Sequence, residues 1–164
     1  MKYNHRGIME NIKIRKLEKN DWGAVLEIVK KLHSWFDSVA LTFEIPNDLK
    51  FHQGMVAEVN GKIVGFLTYS SFEGEVYVSW IGVDPDYHRQ GIGRILMSEL
   101  EKTLKEQGID KLKVETLSAN IKYEPYEKTR AFYKKLGFVD AETRNFISRV
   151  SNEELEMVSL RKNI

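Results

Sequence analysis

The segment Val83-Asp84-Pro85-Asp86-Tyr87-His88-Arg89-Gln90-Gly91-Ile92-Gly93-Arg94 constrains the fold most, because one tight turn ends a β-rich run and opens a long amphipathic helix. Pro85 cannot donate to a strand ladder, so the run that begins at Val76 stops at Val83. Beyond Gly91, Ile92, Ile95, Leu96, Leu100 and Leu104 form one helical stripe as far as about Gln107, and Gly108 suits the position just past a helix end. Backbone N–H groups at such a helix start point outward together, with the positive end of the helix dipole behind them. Gly91 and Gly93 carry no Cβ, so an anionic group can come close to the backbone, and Arg89 and Arg94 add positive charge. The turn therefore reads as an anion cradle, with a tight turn whose glycines serve packing as its other reading.

Two common phosphate-binding motifs do not match it. A dinucleotide fingerprint needs a third glycine where Leu96 stands, and a P-loop needs Gly-Lys-Ser/Thr where the chain has Gly93-Arg94-Ile95.

The surrounding pattern is mixed. Ile12, Ile14 and Leu17 suggest a first strand; Asn20 or Asp21 then caps a helix carrying Val25, Leu26, Ile28, Val29 and Leu32, up to about Phe36. Residues Asp37 to Gln53 are poorly periodic and read as loop or short helix. Met55 to Val59 and Lys62 to Tyr69 are β-rich runs joined by Asn60-Gly61, a strong hairpin signal, and Glu73-Gly74 makes a second turn into the strand Val76 to Val83. Lys111 to Leu117 alternates as a strand, Tyr126 to Leu136 is helical and ends at Gly137, and Phe138 to Leu160 supplies the last two strands. The order predicts a single α+β domain over residues 1–164: a mixed, mostly antiparallel central sheet of six to seven strands with helices on both faces. Residues 1–10 read as a flexible N-terminal extension, with Met9 an alternative start.

Composition narrows the chemistry. The chain has 25 Lys plus Arg against 24 Asp plus Glu, so no global field favours nucleic acid. It has no cysteine, which removes Cys-ligated zinc, thiol nucleophiles and disulfides together. The four His residues show no ligand spacing, so no metal is expected. Without an apolar signal segment or a membrane span, the default expectation is a cytoplasmic protein with no membrane partner.

The cradle resembles the acetyl-CoA pyrophosphate loop of the GNAT N-acetyltransferase superfamily, Gln/Arg-x-x-Gly-x-Gly/Ala, with His88 in its first position and Gly91 and Gly93 matching. Downstream, Ala131-Phe132-Tyr133-Lys134-Lys135-Leu136-Gly137-Phe138 looks like the superfamily's late helix, although Tyr126 replaces its usual asparagine. The resemblance covers about residues 12 to 161. It implies a sheet splayed between strands four and five, with acetyl-CoA inserted there and its pantetheine amides pairing to the strand-four edge at Ile81, Gly82 and Val83. Gly82 would permit a bulge or a close approach. The pyrophosphate would lie against His88, Arg89, Gln90, Gly91, Ile92, Gly93 and Arg94.

The implied reaction is direct transfer of the acetyl group to a primary amine, of a small molecule or a peptide, through a ternary complex. A non-catalytic acyl-CoA-binding regulatory module is the alternative. Tyr133 is the candidate acid for the departing thiolate, since a phenol with a reference pKa of about 10 can protonate it. Glu75 is the candidate base, directly or through water, with a solvated edge residue as its other reading. Trp35, Phe36 and Tyr77 are the candidate acceptor residues. The C-terminal strands offer an edge through which a homodimer is expected to pair.

Overall fold

A computed structural model describes residues 11–164, so the expected extension at residues 1–10 and the start at Met9 lie outside the described residues. The chain builds one sheet from β1 (Ile12–Lys16), β2 (Gln53–Val59), β3 (Lys62–Phe72), β4 (Glu75–Val83), β5 (Lys111–Leu117), β6 (Val139–Ile147) and β7 (Glu154–Asn163). Its helices are α1 (Trp22–Lys31), the short α2 (Ile45–Asp48), α3 (Ile92–Glu106) and α4 (Glu124–Lys135). The strand order is β1-β2-β3-β4-β5-β7-β6, and every neighbouring pair is antiparallel except β4–β5. This is the mixed sheet that the sequence predicts.

The two hairpins form as expected for local reasons. Asn60 and Gly61 have φ of 51° and 78°, and Glu73 and Gly74 have 49° and 81°; such paired left-handed turns match the twist of the strands they join. Alternation along β2 and β3 then divides the interior. Leu67, Met55 and Ala57 face α3 and α4 with Leu96, Leu100 and Leu112; Phe66 and Val56 face α1 and α2 with Val25, Val29 and Ile45. Helices therefore cover both faces. No helix among the described residues is long and apolar enough to cross a membrane.

The first helix ends at Lys31, short of the expected Phe36. Tertiary contacts decide this: the Trp35 indole N–H donates to Pro125 O at 3.1 Å, and Phe36 packs edge-on to Trp80 with centroids 5.9 Å apart. Both side chains leave the helical stripe to reach other elements. Asp21, expected as a possible cap, instead accepts two bonds from the Arg15 guanidinium at 2.7 and 2.9 Å and one from Glu18 N–H, fastening β1 to the start of α1. Residues Ala40–Glu44 form a π-helical turn leading into α2.

One departure from regular pairing positions everything that follows. β4 and β5 pair only at Val76, Tyr77 and Val78 against Leu112, Lys113 and Val114. Beyond Val78 the strands part, leaving the β4 edge from Ser79 to Val83 without its parallel neighbour. The bulge in β4 falls at Ser79, not at Gly82, because Tyr69 opposes Val78 while Thr68 already opposes Trp80. Gly82 answers the other expectation, a close approach: a Cβ there would come within 2.7 Å of the Phe66 ring and 3.0 Å of Leu32. The outer strand β6 pairs with β7 on one side and, among the described residues, has no strand on the other.

Candidate active site

The parting of β4 and β5 opens a cleft of about 1420 Å³, lined by residues of both apolar layers: Trp35, Phe36 and Trp80 from one side, Ile92, Phe132 and Tyr133 from the other. At its end lies the turn between β4 and α3. Asp84 is buried there. Its N–H donates to Val64 O at 2.8 Å, and its carboxylate accepts from Asp86 N–H at 3.1 Å and from the Lys31 ammonium at 2.8 Å. Burial opposes charge on Asp84, but Lys31, Asp86 N–H and Lys62 outweigh it and hold the carboxyl below its ordinary range. Asp84 thus fixes the turn as a charged staple.

The turn is completed by left-handed residues, Arg89 at φ 61° and Gly91 at φ 80°. The first bond of α3 runs from Ile95 N–H to Gly91 O at 3.0 Å, so the N–H groups of Ile92, Gly93 and Arg94 have no acceptor within the helix. A Cβ on Gly91 would meet open space, whereas one on Gly93 would touch the Phe132 ring at 3.3 Å. The two glycines therefore differ: Gly91 keeps the cradle open, and Gly93 lets α3 approach α4. His88 turns its Nε2 to Val83 O at 2.8 Å, closing the turn on itself. The Gln90 side-chain amide reaches Asp86 O at 3.4 Å, while Arg89 and Arg94 line the cleft.

Gly91→Val should lower affinity for CoA at least about tenfold, by isothermal titration, because the branched side chain is strained at this φ and fills the open space over the N–H groups. The thermal stabilisation that wild-type protein gains from acetyl-CoA should shrink in parallel. Unchanged affinity in a folded Gly91→Val protein removes the cradle assignment.

Helix α4 is held against β5 by the Arg130 guanidinium, which donates to Leu117 O at 2.8 Å and Ser118 O at 3.1 Å. Its first turn is clasped to the segment after α1. Tyr126 Oη donates to Trp35 O at 2.7 Å, Tyr123 Oη donates to Ser34 O at 2.8 Å, and Trp35 returns its own bond to Pro125. Burial, helped by the Asp37 charge, pushes the Tyr126 phenol up to about 12. Tyr126, in the place of the resembling family's asparagine, is thus committed to the clasp. Trp35 also packs edge-on to His88, with centroids 6.1 Å apart.

Tyr133 sits in the last turn of α4, 4% exposed, between the rings of Phe132 and Phe138 and on the cleft wall. Burial raises its phenol above the ordinary value of 10.0, so the hydroxyl keeps its proton throughout the neutral range.

Glu75 is not brought to the cleft. It stands at the start of β4 and is paired with Arg161 of β7 at 3.2 Å. Tyr77 does line the cleft, with the Lys113 ammonium 4.9 Å from its ring centroid.

A carboxylate on the cleft wall comes from β5 instead. Glu115 accepts from Arg144 Nη2 at 2.6 Å and Nε at 3.4 Å, and from Ser159 Oγ at 3.1 Å, with the Lys113 ammonium at 3.7 Å. Burial opposes its charge, but Arg144, Ser159 and Lys113 together hold its carboxyl below the ordinary range. The signal for it in the sequence was faint: a glutamate in phase with Lys113 and Leu117 at the far end of a strand next to the expected splay.

Comparison with known proteins agrees with this geometry. Residues 14–138 match the family described as Acetyltransferase (GNAT) family. The chain is 30% identical over 133 residues, 80% of its length and 83% of the relative's, to the [ribosomal protein bS18]-alanine N-acetyltransferase of Escherichia coli K12. Among solved structures it is similar to the ribosomal-protein-S18-alanine N-acetyltransferase from Escherichia coli, with a TM-score of 0.74, 26% identity, and 93% and 94% of the two chains covered. It shares its fold with yncA from Salmonella typhimurium, whose structure is with its cofactor acetyl-CoA, with a TM-score of 0.65, 20% identity, and 93% and 94% covered.

Proposed function

The chain belongs to the acetyltransferase (GNAT) family, and from that premise we propose that it acetylates the α-amine of an extended polypeptide N-terminus in one direct transfer. It is an acetyl-CoA-dependent N-acetyltransferase, and the residues present fit that donor. The N–H groups of Ile92, Gly93 and Arg94 and the space over Gly91 suit the pyrophosphate, and the freed β4 edge from Ser79 to Val83 suits the amides of the pantetheine arm. Acetyl-CoA supplies the activated acetyl thioester.

The remaining chemistry belongs to the chain. In our reading Glu115 Oε takes a proton from the acceptor ammonium, directly or through water; as the C–N bond forms and the C–S bond breaks, Tyr133 Oη gives its proton to the thiolate, and the second proton shed by the nitrogen returns through water to the Tyr133 phenolate. The absence of cysteine supports transfer without a thioester on the enzyme. Trp35 and Phe36 shape the cleft wall near the clasp, and Tyr77 stands on the strand between Glu75 and the splay.

The similarity to a ribosomal-protein-alanine N-acetyltransferase carries the choice of acceptor, and Glu115, on the cleft wall with Arg144 and Ser159 on its oxygens and its carboxyl held low, fits it. A carboxylate held below its ordinary range is a weak base, suited to an amine that gives up its proton readily. Polypeptide α-amines have pKa values of about 7.7–8.0 and lysine about 10.4, so an α-ammonium is the stronger acid by about 250- to 500-fold and yields its proton more readily to such a base.

A matched pair of peptides tests this: one with a free α-amine and no lysine, the other with a blocked α-amine and a free lysine. The first should show kcat/KM at least about tenfold higher at pH 7.5. Equal rates, or a preference for small diamines over both peptides, overturn the reading.

A further inference from the structure

Glu115 leaves little room for a substrate. Oε2 is taken by Arg144 Nη2 at 2.6 Å, and Oε1 is shared by Arg144 Nε at 3.4 Å and Ser159 Oγ at 3.1 Å. The two cations on it are held very differently. Lys113 neighbours Glu115 on the same face of β5; its side chain is only 9% exposed, and its ammonium is pinned over the Tyr77 ring and 3.5 Å from the Tyr77 hydroxyl. Arg144 comes from the outer strand β6, reaches across β7, and is 55% exposed. Its guanidinium rests near the Phe146 ring, 6.0 Å from the centroid, and both residues line the cleft.

We propose that Arg144 is a displaceable counter-ion, occupying on Glu115 the place that the acceptor's ammonium group must take and yielding it when the acceptor enters. This rests on Glu115 being the base. The exchange keeps the charge balance, one cation for another, and leaves Ser159 and Lys113 in position. An ion pair as exposed as this one contributes little stability, so its opening is cheap. Acceptors without a positive charge cannot make the exchange evenly, which selects for ammonium groups. The other charged and titratable groups on this face are engaged elsewhere: Arg161 of β7 with Glu142 of β6 and Glu75 of β4, and the Tyr77 hydroxyl with Lys113.

The test compares Arg144→Gln and Arg144→Lys with wild type at saturating acetyl-CoA, using the peptide with a free α-amine as acceptor. In Arg144→Gln the KM for the peptide should fall about three- to tenfold with kcat changed less than about threefold. The acidic limb of kcat/KM should move to higher pH, since Glu115 loses the charge that holds its pKa down. Arg144→Lys should keep the limb near its wild-type position, and CoA affinity should be unchanged in both, which also confirms that they fold. A peptide KM that is unchanged or higher in Arg144→Gln, or an unmoved limb, overturns the proposal. Glu115→Gln separates the two ideas: full activity in that variant removes the base reading itself, whereas a collapse there with no effect of Arg144→Gln removes the counter-ion alone.

Discussion

Tyr133→Phe is expected to lower kcat about 10²- to 10⁴-fold, the range for loss of a positioned acid, while CoA affinity and melting temperature change little. The ring packs between Phe132 and Phe138, and phenylalanine retains that packing. Only the proton donor is lost. The loss should shrink for acyl donors whose thiols leave more easily, because their departure needs less help. Burial places the Tyr133 phenol above 10.0, so wild-type activity should not decline from this group as pH rises through 8 and 9; a basic limb in that range belongs to something else. Wild-type kcat in Tyr133→Phe, measured by single turnover so that product release does not mask the chemistry, returns Tyr133 to a packing role.

The second large effect is expected at Glu115. Glu115→Gln keeps an oxygen for Arg144 and Ser159 but cannot accept a proton, and kcat/KM for the peptide should fall about 10²- to 10³-fold near pH 7. The deficit should narrow as pH rises through the acceptor's own pKa of about 8, where solvent removes the proton without help. A constant deficit across pH 6.5 to 9.5 points to lost positioning instead of lost base. Glu75→Gln serves as the comparison. Its carboxylate is paired with Arg161 outside the cleft, and its loss should change kcat less than about threefold.

What could be read from the sequence was what neighbours along the chain decide. Asn60-Gly61 and Glu73-Gly74 carry their own turns, and the passage from Val83 through Gly91 into α3 is written in one continuous stretch. Features set by distant strands were hidden. Trp35 and Phe36 fit the stripe of α1, yet Pro125 and Trp80 claim them. Glu75 and Glu115 are both glutamates on neighbouring strands, β4 and β5, and local sequence does not tell them apart. They part company because β7 threads between β5 and β6, which puts Ser159 and Arg144 beside one and Arg161 beside the other. Gly82 announced an irregularity in β4; the extra residue fell at Ser79, while the space that Gly82 leaves is taken by the Phe66 ring.

The clasp between Trp35 and the first turn of α4 has a topological consequence. Phe36 leans on Trp80 of β4, Trp35 is bonded to Pro125, Arg130 ties α4 to Leu117 of β5, and β5 rejoins β4 at Val78. Followed in that order, the contacts return to where they began, so the gap in the sheet is an eyelet with a closed rim. Widening the gap therefore requires breaking one of these contacts, and a group held in it is enclosed by backbone and side chains from four separate segments.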